Sequence, residues 1–505
     1  MAELLQGFSV ALSAENLAYC FIGVFLGMVV GVLPGIGSLA AISMLLPITF
    51  YLDPTTAIIM LAGVYYGSEY GGSTASILLN LPGTPSNAVT CLDGYPMAQK
   101  GRAGVALFVT TIASFVGGSL GIILLTVATP AFISFAMMFQ SKEYFVALLL
   151  GLIMAATISQ GSPARGLAVL GVGILLGCIG ADIQTGMARF TMGRIQLFDG
   201  ISIVIVAMGL FGVSEIIWSI AAHTTPIIKD RITLQSLIPT RDDIARSAIP
   251  TLRGTAVGSI VGPLPGAGLA LASFFAYALE KRFSRRPEAF GTGIVEGIAA
   301  PEAANNAAAQ TAFIPTFALG IPGTTTMAIM LGAMMMHGIV PGPQFVRENF
   351  DMFWAVVASF WIGNLILLLL NIPFIGVWVR LLKIPYVLLY PAIICLVCIG
   401  VYSLSYSVFD VVLLLGFGLL GYVLRLIRFE AAPLLMGFVL GPLLEENFRR
   451  ALLLAQGDLL TLFSGPINTT MLTLAGLASA WAIYARIRAL RRSEPSTLPA
   501  ASEDA

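Results

Sequence analysis

Two carboxylic acids stand almost alone in strongly apolar surroundings, each bordered by small polar residues. Glu69 sits in YYGSEYGGSTAS beside Ser68, Ser73, Thr74 and Ser76, and Glu302 sits in PEAANNAAAQT ahead of Asn305, Asn306, Gln310 and Thr311. A charge at membrane depth costs roughly 2.5 to 3.5 kcal/mol on insertion scales, and such residues commonly line water or an ion path. We therefore read Glu69, Glu302, Asn305 and Asn306 as a cation-coupling set for Na+ or H+, with hydrogen bonding inside a helix bundle as the alternative role. No other metal site, no cofactor and no catalytic group is expected.

The second chemical signal lies in the backbone. GVLPGIG (31–37) recurs as GPLPGAG (262–268), with Pro34 and Pro265 231 positions apart. NLPGTPSN (80–87) recurs as GIPGTTT (320–326), with Pro82 and Pro322 240 positions apart, and the two acids follow with a spacing of 233. Gly/Pro interruptions at matching places in two halves of a membrane chain point to a transporter's substrate site, because broken helices turn their polar ends toward a cavity. Glycines let backbone approach a ligand closely, and a helix N-terminus offers unpaired N–H groups with about half a positive charge.

Lys and Arg are missing from 1–99 and from 287–346. An anion at these motifs is therefore expected to be held without an arginine clamp. The expected binding groups are the backbone at Gly35, Gly37, Gly83, Gly266, Gly268 and Gly323, the hydroxyls of Ser38, Thr84, Ser86, Thr324, Thr325 and Thr326, and the amide of Asn87. Four helix N-termini supply roughly two units of positive potential. That undercompensates a trianion, so a co-bound cation is expected to complete the balance.

Such groups need a membrane scaffold, and the composition supplies it. Hydrophobic residues make up 57% of the 505 and charged residues 10%, with a mean hydropathy of +0.92; soluble domains carry about a quarter charged. Continuous apolar runs at 17–32, 103–127, 144–158, 201–222, 354–370, 386–402, 408–424 and 467–484 suit membrane helices. They lack the alternation of a β-barrel strand. The expectation is an all-α polytopic membrane protein of about 11–12 transmembrane helices in two homologous halves, with broken or re-entrant helices at the Pro-Gly motifs. The expected divisions are an N-terminal segment that could lie as an interfacial helix (1–16), a first half (17–222), a polar cytoplasmic connection (223–253), a second half (254–490) and a disordered cytoplasmic tail (491–505). Cations cluster in 229–253, at Lys281, Arg282, Arg285 and Arg286, at Arg425 and Arg428, and in 486–492. The positive-inside rule places these ends, and the C-terminus, on the cytoplasmic side.

Several other readings fall away. Gly35, Gly37 and Ala40 match the dinucleotide pattern G-x-G-x-x-A, but an apolar membrane segment precedes them where a strand would be needed. Cys395 and Cys398 form an isolated CxxC inside an apolar run, which reads as structural. His337 and Asp93 occupy loosely matched positions and read as ends of the repeated unit. Nothing indicates nucleic acid. With His223 and His337 the only histidines, an intramembrane enzyme has little to work with. An anion channel remains the alternative to a coupled carrier.

Three long stretches carry a family resemblance: GVLPGIGSLAAISMLLPITF (31–50), GVYYGSEYGGSTASILLNLPGTPSNAVTCLDGYPMAQKGRAG (63–104), and GPLPGAG with PEAANNAAAQTAFIPTFALGIPGTTTMAIMLGAMMMHGIVPGPQ (301–344). Together they closely resemble the large membrane subunit of tripartite tricarboxylate transporters, across nearly the whole chain. The resemblance implies a permease of the bacterial inner membrane, driven by an ion gradient and not by ATP. It also implies two partners, a small four-helix membrane subunit and a periplasmic solute-binding protein that delivers a tricarboxylate or related carboxylate.

Overall fold

The structure, a computed structural model, describes residues 2–33, 37–158, 163–182, 185–221, 234–381 and 386–477. Gly35, His223, part of the basic connection (222–233), the end of the 467–484 run and the tail 491–505 lie outside the described residues.

The chain opens with α1 (Ala2–Ala11), α2 (Ala14–Val32), α3 (Gly37–Thr49), α4 (Pro54–Leu79), α5 (Thr90–Gln99) and α6 (Ala103–Ala136). Helices α7 (Ser141–Ile158), α8 (Pro163–Gly177), α9 (Ile203–Ala207) and α10 (Ser214–Ala221) follow. The only strands among the described residues are β1 (Gly180–Ala181) and β2 (Ala188–Arg189), a short antiparallel pair. A second series comprises α11 (Arg241–Val261), α12 (Gly268–Phe283), α13 (Glu296–Thr311), α14 (Phe313–Leu319), α15 (Thr325–Met336), α16 (Pro343–Glu348) and α17 (Phe350–Asn371). Last come α18 (Ile375–Leu381), α19 (Tyr386–Ser405), α20 (Val408–Leu426) and α21 (Ala432–Leu454). The expected all-α membrane architecture is the one observed. Four helices, α2, α6, α17 and α20, are long and apolar enough to cross a membrane by length and composition, and α3 and α15 are shorter apolar helices.

Close packing explains the glycines of the first helix in each half. Gly23, Gly27 and Gly31 of α2 lie against the backbone carbonyls of Met60, Val64 and Ser68 of α4, so near that no Cβ fits. Gly254 and Gly258 of α11, and Gly262 just past its end, repeat this against Ala300, Ala304 and Ala308 of α13. Small residues one turn apart allow such contact where lipid offers no hydrophobic drive between helices. The first helices correspond at a spacing of 231 and their partners at 240. This packing register corrects one sequence expectation. Glu69 is the counterpart of Ala309, while Glu302 lies two turns earlier on α13, so the near-match of the acids' spacing to the proline spacing is not a structural equivalence.

The breaks repeat as faithfully as the ladder. Asn80 (φ 57°) ends α4 and Gly320 (φ 67°) ends α14 in the left-handed conformation, the usual stop for a helix that must turn sharply. Leu-Pro-Gly and Ile-Pro-Gly then lead to Thr84 (φ −130°, ψ 159°) and Thr324 (φ −137°, ψ 164°), from which a 3₁₀ turn (Pro85–Ala88) and α15 begin. Each break frees backbone carbonyls on one side and N–H groups on the other.

Residues 1–138 and 151–443 pack as one compact unit; residues 139–150 group separately with the segment from Leu444. Within the smaller unit, Phe145 and Phe448 bring their rings to 5.1 Å. In the larger unit α1 docks along α17: Gly7 lies on the backbone of Trp354, and Gln6 donates to Asp351 at 2.7 Å.

Candidate substrate and cation site

The breaks of both halves open onto one cavity of about 410 Å³. From the first half it is lined by Ser38 at the start of α3, by Tyr65 and Glu69 one turn apart on α4, and by Pro85 and Ser86. From the second it is lined by Gly266, Gly268 and the start of α12, and by Thr324, Thr325 and Thr326 at the start of α15. Gly37 (φ 68°) and Gly268 (φ 66°) begin α3 and α12 in the same left-handed conformation, which favours glycine. Thr324 caps α15 by accepting from the Met327 N–H at 3.1 Å, so its own hydroxyl proton remains to be donated. No Lys, Arg or His lines the cavity among the described residues.

Glu69 is 1% exposed. One of its oxygens accepts from Thr84 Oγ1 at 3.0 Å and from the Ser86 hydroxyl at shorter range. Thr84 Oγ1 also stands 2.7 Å from Ser86 Oγ and 2.6 Å from Asn87 Oδ1. Asn87 then bridges the two acids: its Nδ2 donates to the Glu69 carbonyl at 3.3 Å and to Glu302 Oε1 at 3.0 Å. The bare face of Gly72 makes room for that amide, since a Cβ there would meet Asn87 Oδ1.

Glu302 is fully buried and does not line the cavity. Its carboxylate accepts from Thr90 and Asn87 on one oxygen, and from Ser114 and Asn305 at 3.4 Å on the other. Asn306 donates to the Glu302 carbonyl at 3.1 Å and to Asn305 Oδ1 at 2.5 Å. None of the ion pairs among the described residues involves Glu69 or Glu302. Two buried carboxylates therefore share one hydrogen-bonded network that contains no positive side chain.

The structure separates the residues singled out from the sequence into two layers. Ser38, Glu69, Ser86, Gly266, Gly268 and Thr324 to Thr326 reach the cavity. Thr84, Asn87, Glu302, Asn305 and Asn306 form the network behind it. Gly83 and Gly323 sit behind the wall as well, Gly83 against Gly31 and Gly72 and Gly323 with the Gly262 carbonyl 2.9 Å from where its Cβ would be. Their smallness serves helix contact.

Tyr65 was missed. It is 1% exposed, its hydroxyl lies beside the Thr324 side chain without a well-formed hydrogen bond, and it stands on the cavity wall. The signal was there: Tyr65 and Glu69 are four residues apart and share a helix face. Asp93 does tie the halves together, since its carboxylate accepts from the N–H groups of Gly291, Gly293 and Ile294 at 2.7 to 3.1 Å and from Tyr277 Oη at 2.9 Å. Neither Asp93 nor His337, which ends α15, lines the cavity.

Comparison with known proteins bears on this geometry. Residues 17–436 match the family described as the tripartite tricarboxylate transporter TctA family. The chain belongs to that family. The matched stretch spans both Pro-Gly breaks and every site residue described. The chain is 47% identical over 491 residues to a 52.8 kDa protein of the TAR-I ttuC′ 3′ region of Agrobacterium vitis, covering 97% of this chain and 98% of that one. It is 49% identical over 234 residues to a protein of the TAR-II ttuC′ 3′ region of the same organism, covering 46% of this chain and 97% of that one. No solved structure matches.

Proposed function

We propose that the chain is the permease subunit of an ion-gradient-driven carboxylate importer of the bacterial inner membrane. It receives a tricarboxylate or related carboxylate from a periplasmic binding protein and works beside a small four-helix membrane subunit. The observation that carries this reading is the make-up of the cavity: hydroxyls and helix starts from both halves surround it, the carboxylates of Glu69 and Glu430 line it, and no cationic side chain does among the described residues. Substrate carboxylates fit the hydroxyls of Thr324 to Thr326 and Ser38 and the N-terminal ends of α3, α12 and α15. Those donors do not neutralise a multiply charged anion, and Glu69 adds a negative charge. A co-transported Na+ or H+ at Glu69 resolves both deficits, and coupling follows because anion and cation favour each other's binding.

The test is accumulation. The chain, its small membrane subunit and the loaded binding protein are reconstituted in vesicles, and labelled di- and tricarboxylates are offered under an imposed Na+ or H+ gradient. Accumulation above the external concentration that collapses with the gradient supports the importer. Equilibration without accumulation under every gradient replaces it with an anion channel.

A further inference from the structure

A second cavity, of about 520 Å³, lies at the base of α11 and α12, apart from the substrate site. Because α11 enters and α12 returns, Arg241 and Phe283 mark the same end of a helix hairpin, and the loop after α12 closes it. The wall carries four arginines, Arg246, Arg253, Arg285 and Arg286, and three carboxylates. The carboxylates are already engaged. Arg246 holds Glu296 through two bonds of 2.8 Å and reaches Asp242 at 3.3 Å, and Arg253 holds Glu280 at 3.2 and 3.3 Å. Among the described residues neither Arg285 nor Arg286 has a carboxylate partner.

The rim of this cavity is apolar and open. Ile249 is 57% exposed and Phe283 59%, and both line it. Arg253 lies over the Phe283 ring at 5.3 Å, so a guanidinium and an exposed aromatic share the edge. Leu252 on α11 is also exposed. A site for a water-soluble anion gains nothing from exposed isoleucine and phenylalanine at its mouth. An amphiphile gains from both parts, and paired arginines fit phosphate oxygens with fixed, forked donors.

We propose that this cavity holds the phosphodiester headgroup of an anionic phospholipid, with Arg285 and Arg286 on the phosphate and acyl chains along Ile249 and Phe283. Lys100, Arg102, Lys281 and Arg282 belong to the same face: Lys100 donates to the Thr292 carbonyl at 2.6 Å and Arg102 pairs with Asp243 at 2.6 Å at the start of α11. Such a concentration of cations marks the cytoplasmic leaflet, whose anionic lipids attract basic groups near the membrane surface.

The experiment uses the full chain purified in detergent and returned to nanodiscs. Binding of a fluorescent phosphatidylglycerol is titrated against phosphatidylcholine, inorganic phosphate and glycerol 3-phosphate as competitors. The wild type is expected to prefer phosphatidylglycerol over phosphatidylcholine by at least about tenfold, as two charge-assisted bonds imply. Arg285→Ala/Arg286→Ala is expected to erase that preference while thermal unfolding stays unchanged. Arg285→Lys/Arg286→Lys, which keeps the charge, is expected to retain part of it. An unchanged preference in the alanine double variant overturns the proposal. So does an equal loss in a charge-matched pair that does not line the cavity, Arg428→Ala/Arg450→Ala, because the effect is then one of net charge. Displacement of the lipid by phosphate or glycerol 3-phosphate at equal concentration also overturns it, by assigning the cavity to a soluble anion.

Discussion

The two Pro-Gly breaks share a backbone and differ in chemistry. Both follow a left-handed cap, at Asn80 and Gly320, both lead into an extended threonine, Thr84 and Thr324, and both rest on a glycine ladder. At equivalent positions, however, the first half places Glu69, Ser86 and Asn87 where the second places Ala309, Thr326 and Met327. Gly72, which admits the Asn87 amide, becomes Ala312. The backbone thus repeats while the chemistry differs: one half carries the acid and its amide bridge, the other presents uncharged donors at a helix start. A carrier that must hold a cation beside an anion needs that inequality.

The scaffold half of the comparison predicts the largest effect. Gly27→Leu and Gly258→Leu each drive a side chain into a backbone carbonyl of the partner helix. Overpacking commonly costs about 1 to 3 kcal/mol, and more where backbone cannot yield. Both variants are expected to lose folded protein, equally, in a detergent thermal-unfolding assay; a severe loss in one and none in the other breaks the symmetry. Glu69→Gln should then abolish gradient-driven accumulation while leaving the folded yield near wild type. Ala309→Glu, at the equivalent position of the other half, should not restore uptake in that background. Restoration there means the halves are interchangeable.

Smaller effects sharpen the division. Thr325→Ala removes a cavity hydroxyl and Asn87→Ala removes the bridge between the acids. A lost hydrogen bond to a charged group is worth about 1.5 to 3 kcal/mol, so uptake should fall roughly 10- to 150-fold in each. Thr325→Ala should raise the carboxylate concentration needed for half-maximal uptake, and Asn87→Ala the cation concentration. Identical shifts in both variants would merge the two roles.

The smallest effect lies outside the cavity. Burial alone would raise the Asp243 carboxyl, but Arg102 and the Thr240 side chain and backbone bring it below the usual carboxylate range. A group with a lowered folded pKa contributes stability above its unfolded pKa of about 4 and loses it as pH falls through the folded value. Asp243→Asn should therefore lower the melting temperature by a few degrees at neutral pH and flatten its acid dependence below about pH 4. A parallel acid limb in the variant removes Asp243 from that dependence.

Much of this organisation could be read from residues alone, because glycine, proline and isolated acids in apolar sequence have few physical excuses. The doubled breaks, the cation-free stretches and the threonines at 324–326 all led to the cavity. What stayed hidden depended on register. Spacing alone paired Glu69 with Glu302, since 233 is close to 231, whereas the glycine ladder sets that helix's spacing at 240. The role of Gly83 and Gly323 was equally ambiguous: a glycine that admits a ligand and one that admits another helix look the same in sequence. Tyr65 is not distinguished by its type, and only its place on the cavity wall, one turn from Glu69, sets it apart.

In the proposed carrier a multiply charged anion meets Glu69 in a cavity to which no described residue adds a cationic side chain. The most direct test is initial uptake of labelled citrate and smaller carboxylates into vesicles containing the assembled system, under a steep carboxylate gradient, with Na+ and H+ gradients removed and Na+ depleted. Uptake should collapse in the wild type, recover when the driving cation is restored, and fail to recover in Glu69→Gln. Rapid uptake without the cation, equal in wild type and Glu69→Gln, would contradict the co-bound cation and leave the cavity as an anion channel.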